Sequence, residues 1–95
     1  MKKYDRLLVL FYMPHSEVNK EFAVKYSEAA KTLHDMTPPH YLAKVNDGEN
    51  PYVATHHHIS DTPSLRWFVG GKEQNITLNH TMFQSSEDIV DWVLA

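Results

Sequence analysis

Leu7-Leu8-Val9-Leu10-Phe11-Tyr12, closed by Met13-Pro14, is an unbroken apolar run stopped by a proline. Its length and its β-branched and aromatic content favour a strand buried on both faces, and such strands are usually parallel and central in their sheets. Directly after it, Val18, Phe22, Tyr26, Ala29, Ala30 and Leu33 recur at helical spacing, with Glu17, Lys20, Glu21, Lys25, Glu28 and Lys31 on the other face. That pattern predicts an amphipathic helix with Ser16 as N-cap, stopped by Thr37-Pro38-Pro39. Tyr41–Val45 reads as a second strand, followed by turn chemistry in Asn46-Asp47-Gly48. Strand, helix and strand in this order form a right-handed parallel unit.

Further along, Pro51 to His58 is predicted to be a short helix, with Asn50 at its N-cap and Pro51 at its first position. Thr62-Pro63 opens an extended stretch in which Leu65, Trp67 and Val69 alternate with Arg66 and Phe68. Gly70-Gly71 turns the chain back, and Glu73 to Leu78 is expected to return as the hairpin partner. Ser85-Ser86-Glu87-Asp88 resembles a capping box ahead of Ile89, Val90, Trp92 and Val93, which gives a last helix. The order β-α-β-α-β-β-α over residues 1–95 is a single small α/β domain, a mixed four-stranded sheet flanked by helices. Phe11, Trp67, Phe68 and Trp92 are expected in the core, and Met13, His15 and Phe83 are expected either exposed near one another or half-buried as packing residues.

Composition removes several function classes. The chain has 95 residues, 42% of them apolar and 22% charged, with a net charge of -3. That is a soluble globular composition with no basic cluster, so no nucleic-acid partner is expected. The apolar run Leu7–Met13 is far short of the roughly 20 residues of a membrane span, so no membrane insertion is expected. There is no cysteine, which excludes a disulfide, a thiolate metal site and a thiol nucleophile. Consecutive helical residues point apart, so His56-His57-His58 is not expected to hold a metal, and no cofactor is expected. Ser16 with His15 and His57 lacks the elbow, oxyanion hole and orienting acid of a hydrolase. Two glycosylation sequons, Asn75-Ile76-Thr77 and Asn79-His80-Thr81, lean toward a lumenal or extracellular home. Asn79 is expected to carry glycan more readily than Asn75, which falls within the predicted hairpin strand.

Phe11-Tyr12-Met13-Pro14-His15-Ser16-Glu17-Val18-Asn19-Lys20 resembles the Phe-Tyr-Ala-Pro-Trp-Cys-Gly-His-Cys-Lys segment of protein disulfide isomerase catalytic domains. Leu42-Ala43-Lys44-Val45-Asn46, the loop Ile59–Leu65 around Pro63, and Gly71-Lys72 are similar to further segments of that family. The resemblance implies a thioredoxin fold and a cis peptide bond before Pro63. It places the family's two cysteines on Ser16 and Asn19, and its preceding tryptophan on His15, so His15, Ser16, Glu17, Val18 and Asn19 form a vestigial site. A serine hydroxyl cannot form the mixed disulfide that exchange requires. The family's buried proton-carrying carboxylate falls on Leu10.

Only Met1 to Arg6 precede the first strand, so the fold is expected to lack the N-terminal strand and helix usual in such domains. Tyr41–Val45 is then an open sheet edge, expected to pair with a second copy or to be covered by Met1–Arg6. The function expected from the resemblance is that of a redox-inactive domain, not an enzyme, in the endoplasmic reticulum or secretory pathway. It would bind unfolded or extended polypeptide, or a partner such as a neighbouring domain, through Met13, His15, Thr62 and Pro63. The alternative is a structural or assembly domain, for which calsequestrin-like proteins are precedents.

Overall fold

The computed structural model describes residues 6–56, 59 and 61–95. Its elements are β1 (Arg6–Tyr12), α1 (Glu17–His34), β2 (Leu42–Asn46), α2 (Pro51–His56), β3 (Ser64–Val69), β4 (Lys72–Glu73), a 3-10 turn at His80–Met82, and α3 (Ser86–Leu94). The sheet order is β2-β1-β3-β4. β1 runs parallel to β2 and antiparallel to β3, and β4 is antiparallel to β3. The chain therefore has the expected α/β thioredoxin fold around a mixed four-stranded sheet.

β1 is central, and its side chains alternate between two apolar clusters. Leu8 and Leu10 face Phe22, Tyr26, Ala29 and Leu33 of α1 and Ile89, Val90 and Val93 of α3. Leu7, Val9 and Phe11 face the other side with Phe68, against which Ala43, Val45 and Ile59 pack. Burial on both faces is why β1 reads as a continuous apolar run instead of an alternating one. Trp67 of β3 and Trp92 of α3 meet edge to face with ring centroids 4.8 Å apart, which docks α3 on the sheet.

The Tyr26 side chain ties α1 to two strands at once. Its hydroxyl lies 2.7 Å from the carbonyl oxygen of Leu8 in β1 and 2.7 Å from that of Ala43 in β2. One proton is shared between two acceptors on parallel neighbours. Burial pushes this hydroxyl well above the ordinary tyrosine range.

Turn chemistry matches the sequence at two places. Asn46 Oδ1 accepts from the backbone N–H of Gly48 at 3.0 Å and of Glu49 at 3.3 Å, so its side chain builds the turn after β2. Gly70 and Gly71 have φ of 59° and 84°, the left-handed pair that a two-residue hairpin demands. Ser85 caps α3 by accepting from Asp88 N–H, and the Asp88 carboxylate in turn accepts from the Gln84 N–H at 2.8 Å.

Two expectations are corrected. The hairpin strand expected from Glu73 to Leu78 is only Lys72–Glu73. Gln74 N–H still donates to the Trp67 carbonyl at 2.7 Å, but Ile76 N–H then donates to the Gln74 carbonyl at 2.9 Å. That i to i+2 bond is a γ-turn, and it lifts the chain out of the ladder. Phe83, expected exposed or half-buried, is buried in the core beside Phe22 and Trp92. The 3-10 turn, unforeseen in the sequence, delivers it there. The N-terminal segment Met1–Arg6 falls outside the described residues except for Arg6, as do His57 and His58; His56 is exposed.

Tyr26→Phe is expected to cost about 1–3 kcal/mol, because two carbonyls lose their donor. The folded chain holds the Tyr26 proton to higher pH than the unfolded chain does. The resulting stability is complete below about pH 10, the unfolded value, and is lost as pH rises through the folded one. Urea unfolding from neutral to strongly alkaline pH should therefore show a steeper alkaline decline in the unmodified chain than in Tyr26→Phe.

Candidate functional site

At the C-terminal end of β1 the chain makes a tight turn into α1. Met13 is clamped at both its backbone groups. Its N–H donates to Asn19 Oδ1 at 2.9 Å, and its carbonyl accepts from the Ser16 N–H at 3.3 Å. One residue earlier, the Tyr12 carbonyl accepts from the Asp47 N–H at 2.9 Å, which ties this turn to the loop after β2. Met13 is half-buried and His15 is exposed. Glu17 and Lys20 form an exposed pair at 3.7 Å that contributes little.

The two positions where the resemblance places cysteines have diverged in role. Ser16 occupies the N-cap position of α1 with extended backbone, as expected, but its side chain makes no capping bond. Asn19 is 2% exposed, the one buried polar side chain among the described residues, and it is the group that closes the turn. A buried amide with its oxygen satisfied is inert to disulfide exchange. Its side chain instead closes the turn ahead of α1 by accepting from the Met13 N–H, and the first N–H groups of the helix receive no side-chain cap from Ser16.

Beneath the turn, Leu10 is fully buried among apolar side chains of α1 and α3. A carboxylate here would be driven toward its neutral form by desolvation; leucine moves no proton at all. Its register partner on β2 is Lys44, which is exposed and sits 5.8 Å above the Tyr12 ring. Without a thiol, and with leucine at this position, the chain has no Cys-x-x-Cys route to thiol–disulfide catalysis.

The β1–β3 register pairs Phe11 with Ser64. The Met13–Ser16 turn therefore leaves the sheet at the same end at which Thr62-Pro63 enters β3. The Thr62–Pro63 peptide is cis, as the resemblance implies, and so is Thr37–Pro38, which nothing in the sequence reading anticipated. Pro63 is buried and Thr62 half-buried. A groove of about 440 Å³ opens beside them, walled by Ser64, Leu78, Asn79 and His80, with Arg66 at its side. Arg66 is held in place, donating to Ser64 Oγ at 2.9 Å and to the Leu65 carbonyl at 3.0 Å. Val18 is exposed and lines a separate hollow with Phe22, His80 and Phe83.

The groove walls Leu78 and His80 escaped the sequence reading. Ile76 and Leu78 alternate as a strand would, and only the γ-turn exposes the segment as a wall. Asn75 and Asn79 are both exposed and both outside any strand. The expected preference for Asn79, which rested on a strand through Asn75, loses that ground. Among the described residues no cluster of three or more histidines or acidic residues could hold a metal ion, and no helix is long and apolar enough to cross a membrane.

The Thioredoxin family profile matches residues 1–95. Protein disulfide-isomerase 1 of Caenorhabditis elegans is 34% identical over 87 residues, covering 92% of this chain and 17% of that protein. Protein disulfide-isomerase A4 of Mus musculus is 38% identical over 68 residues, covering 72% of this chain and 11% of that protein. The chain thus spans less than a fifth of these curated relatives. The first thioredoxin domain of mouse Protein disulfide-isomerase A4 superposes with a TM-score of 0.74 at 28% identity, covering 95% of this chain and 61% of that one. Human ERp44 in its zinc-bound form superposes with a TM-score of 0.83 at 19% identity, over 98% of this chain and 26% of that one, a likeness of fold.

Asn19→Ala leaves the Met13 N–H without its acceptor and is expected to cost about 1–3 kcal/mol. Ser16→Ala removes no capping bond and is expected to stay within about 0.5 kcal/mol. Denaturant midpoints of the two variants measure the contrast. Ser16→Cys combined with Asn19→Cys is expected to reduce insulin only slowly, since Leu10 still supplies no proton; turnover equal to that of a disulfide isomerase domain would show that Leu10 is immaterial.

Proposed function

The chain belongs to the thioredoxin family, and from that membership and the absence of any thiol we propose that it is a binding domain of a protein disulfide isomerase-like protein and not an enzyme. Its ligand is unfolded or extended polypeptide, or a partner protein, held at the cis-proline face formed by Met13, His15, Thr62 and Pro63. The observation that carries this reading is the groove beside Pro63, open at the sheet end where the Met13–Ser16 turn also emerges. An extended ligand strand there takes hydrogen bonds from the Thr62 backbone, in the manner of strand addition. The exposed His15 and half-buried Met13 supply permissive side-chain contact. The likeness to disulfide isomerases and the two sequons support a home in the endoplasmic reticulum or elsewhere in the secretory pathway.

Titration of the isotopically labelled chain with a permanently unfolded polypeptide tests the reading. Amide shifts should concentrate at Thr62, Ser64 and His80 and at Met13 and His15. Shifts confined to the opposite end of the sheet, or none at millimolar probe, would overturn it.

A second reading, that of an assembly domain, is favoured by one observation. β2 lies at the end of the sheet order, with no strand beyond it among the described residues. A second copy pairing along Tyr41–Val45 would continue the sheet across a two-fold axis. Sedimentation over a wide concentration range is expected to show a monomer–dimer equilibrium on this reading, and a monomer throughout rejects it.

A further inference from the structure

The early end of β4 brings both sequons to the outer side of β3. Asn79 is itself a wall of the groove beside Thr62 and Pro63. Asn75 lines the neighbouring hollow of about 340 Å³, which shares Arg66 and Leu78 with the first. The two asparagines differ in how their side chains are held. Asn79 Oδ1 accepts from the Thr81 N–H at 3.0 Å and from Thr81 Oγ1 at 2.9 Å, which caps the 3-10 turn and joins the asparagine to the hydroxyl residue of its own sequon. Its oxygen is thereby occupied, while its Nδ2 donates no hydrogen bond among the described residues. The residue is exposed, so nothing in the fold must move to carry a substituent on that nitrogen.

We propose that Asn79 is an N-glycosylation site whose glycan occupies the groove beside Pro63 and so closes it to polypeptide. The inference rests on the polypeptide-binding reading given above. In the attachment, Nδ2 forms a bond to the anomeric carbon of an oligosaccharide carried on a lipid pyrophosphate. The carbon–oxygen bond to the pyrophosphate breaks, the lipid pyrophosphate leaves with the electron pair, and one Nδ2 proton passes to a base of the transferring enzyme. The first sugar rings then start from the groove wall itself. A groove of about 440 Å³ is within the range that a single small ligand fills. Sugar in that space excludes an extended chain sterically and competes for the Thr62 backbone groups. A glycan on Asn75 begins in the adjacent hollow, and leaves the Pro63 groove open.

The test compares the chain secreted from a eukaryotic host with the bare chain made in bacteria. Glycopeptide mass spectrometry reads occupancy at each asparagine, and fluorescence anisotropy reads binding of labelled, carboxymethylated α-lactalbumin as the unfolded probe. The secreted chain is expected to carry glycan on Asn79 and to bind the probe at least about tenfold more weakly, a difference of about 1.4 kcal/mol. Thr81→Ala, which ends the sequon and keeps Asn79, should restore binding in the secreted form, and Asn75→Gln should leave the difference in place. An unmodified Asn79 overturns the inference and leaves the binding reading standing. So does equal binding by secreted and bare chains when Asn79 is occupied. Failure of the bare chain to bind the probe overturns the binding reading, and the inference falls with it.

Discussion

The hydroxyl of Tyr26 is the point through which helix and sheet are held in one arrangement. It touches carbonyls on β1 and β2 together, so it fixes α1 over the seam between the two parallel strands. Apolar packing around it is non-directional and would tolerate small slides of the helix. A hydrogen bond shared between two fixed oxygens does not. Once α1 is placed, its N-terminus falls at the C-terminal end of β1, and the turn from Met13 to Ser16 has little freedom left. Phe22, one turn before Tyr26 on the same face, carries the arrangement onward through Phe83 to Trp92 and α3.

On this scaffold the loss of redox chemistry is more than a deletion. Each position that the resemblance assigns to catalysis has taken a different physical role. Ser16 keeps the backbone geometry of a helix start and nothing else. Asn19 has become a structural acceptor, and Leu10 has become core. The cis Thr62–Pro63 peptide and the groove beside it are built from other segments, the start of β3 and the chain after β4. The positions assigned to catalysis and the groove beside Pro63 thus lie on different segments of the chain.

Most of the fold was readable from the residues because its strongest signals are local. The Leu7–Tyr12 run, the helical spacing from Val18 to Leu33 and the Gly70-Gly71 turn each specify their own conformation. What escaped was decided by single backbone bonds. Ile76 and Leu78 alternate like a strand, yet one γ-turn at Asn75 sends them elsewhere. Phe83 reads as an isolated aromatic in a polar stretch, and only the 3-10 turn swings it into the core. Capping preference pointed to Ser16, correctly as to place, but its side chain caps nothing, and the side-chain bond that forms here joins the Met13 N–H to Asn19, three residues into the helix. The cis bond at Pro63 rested on resemblance, because a proline in a turn carries no such signal in its own residue pattern.

Asn19 also bears on what a thiol at its position would cost. Its side chain is buried, bonded and required by the Met13 amide. Putting cysteine back at that position would exchange a good acceptor for a poor one and strand a backbone donor, before any catalytic gain could accrue. Cysteine at this position alone therefore costs stability, and it makes no dithiol until Ser16 has changed as well. The amide acts as a latch: while it closes the turn, a thiol in its place is disfavoured before any chemistry is counted.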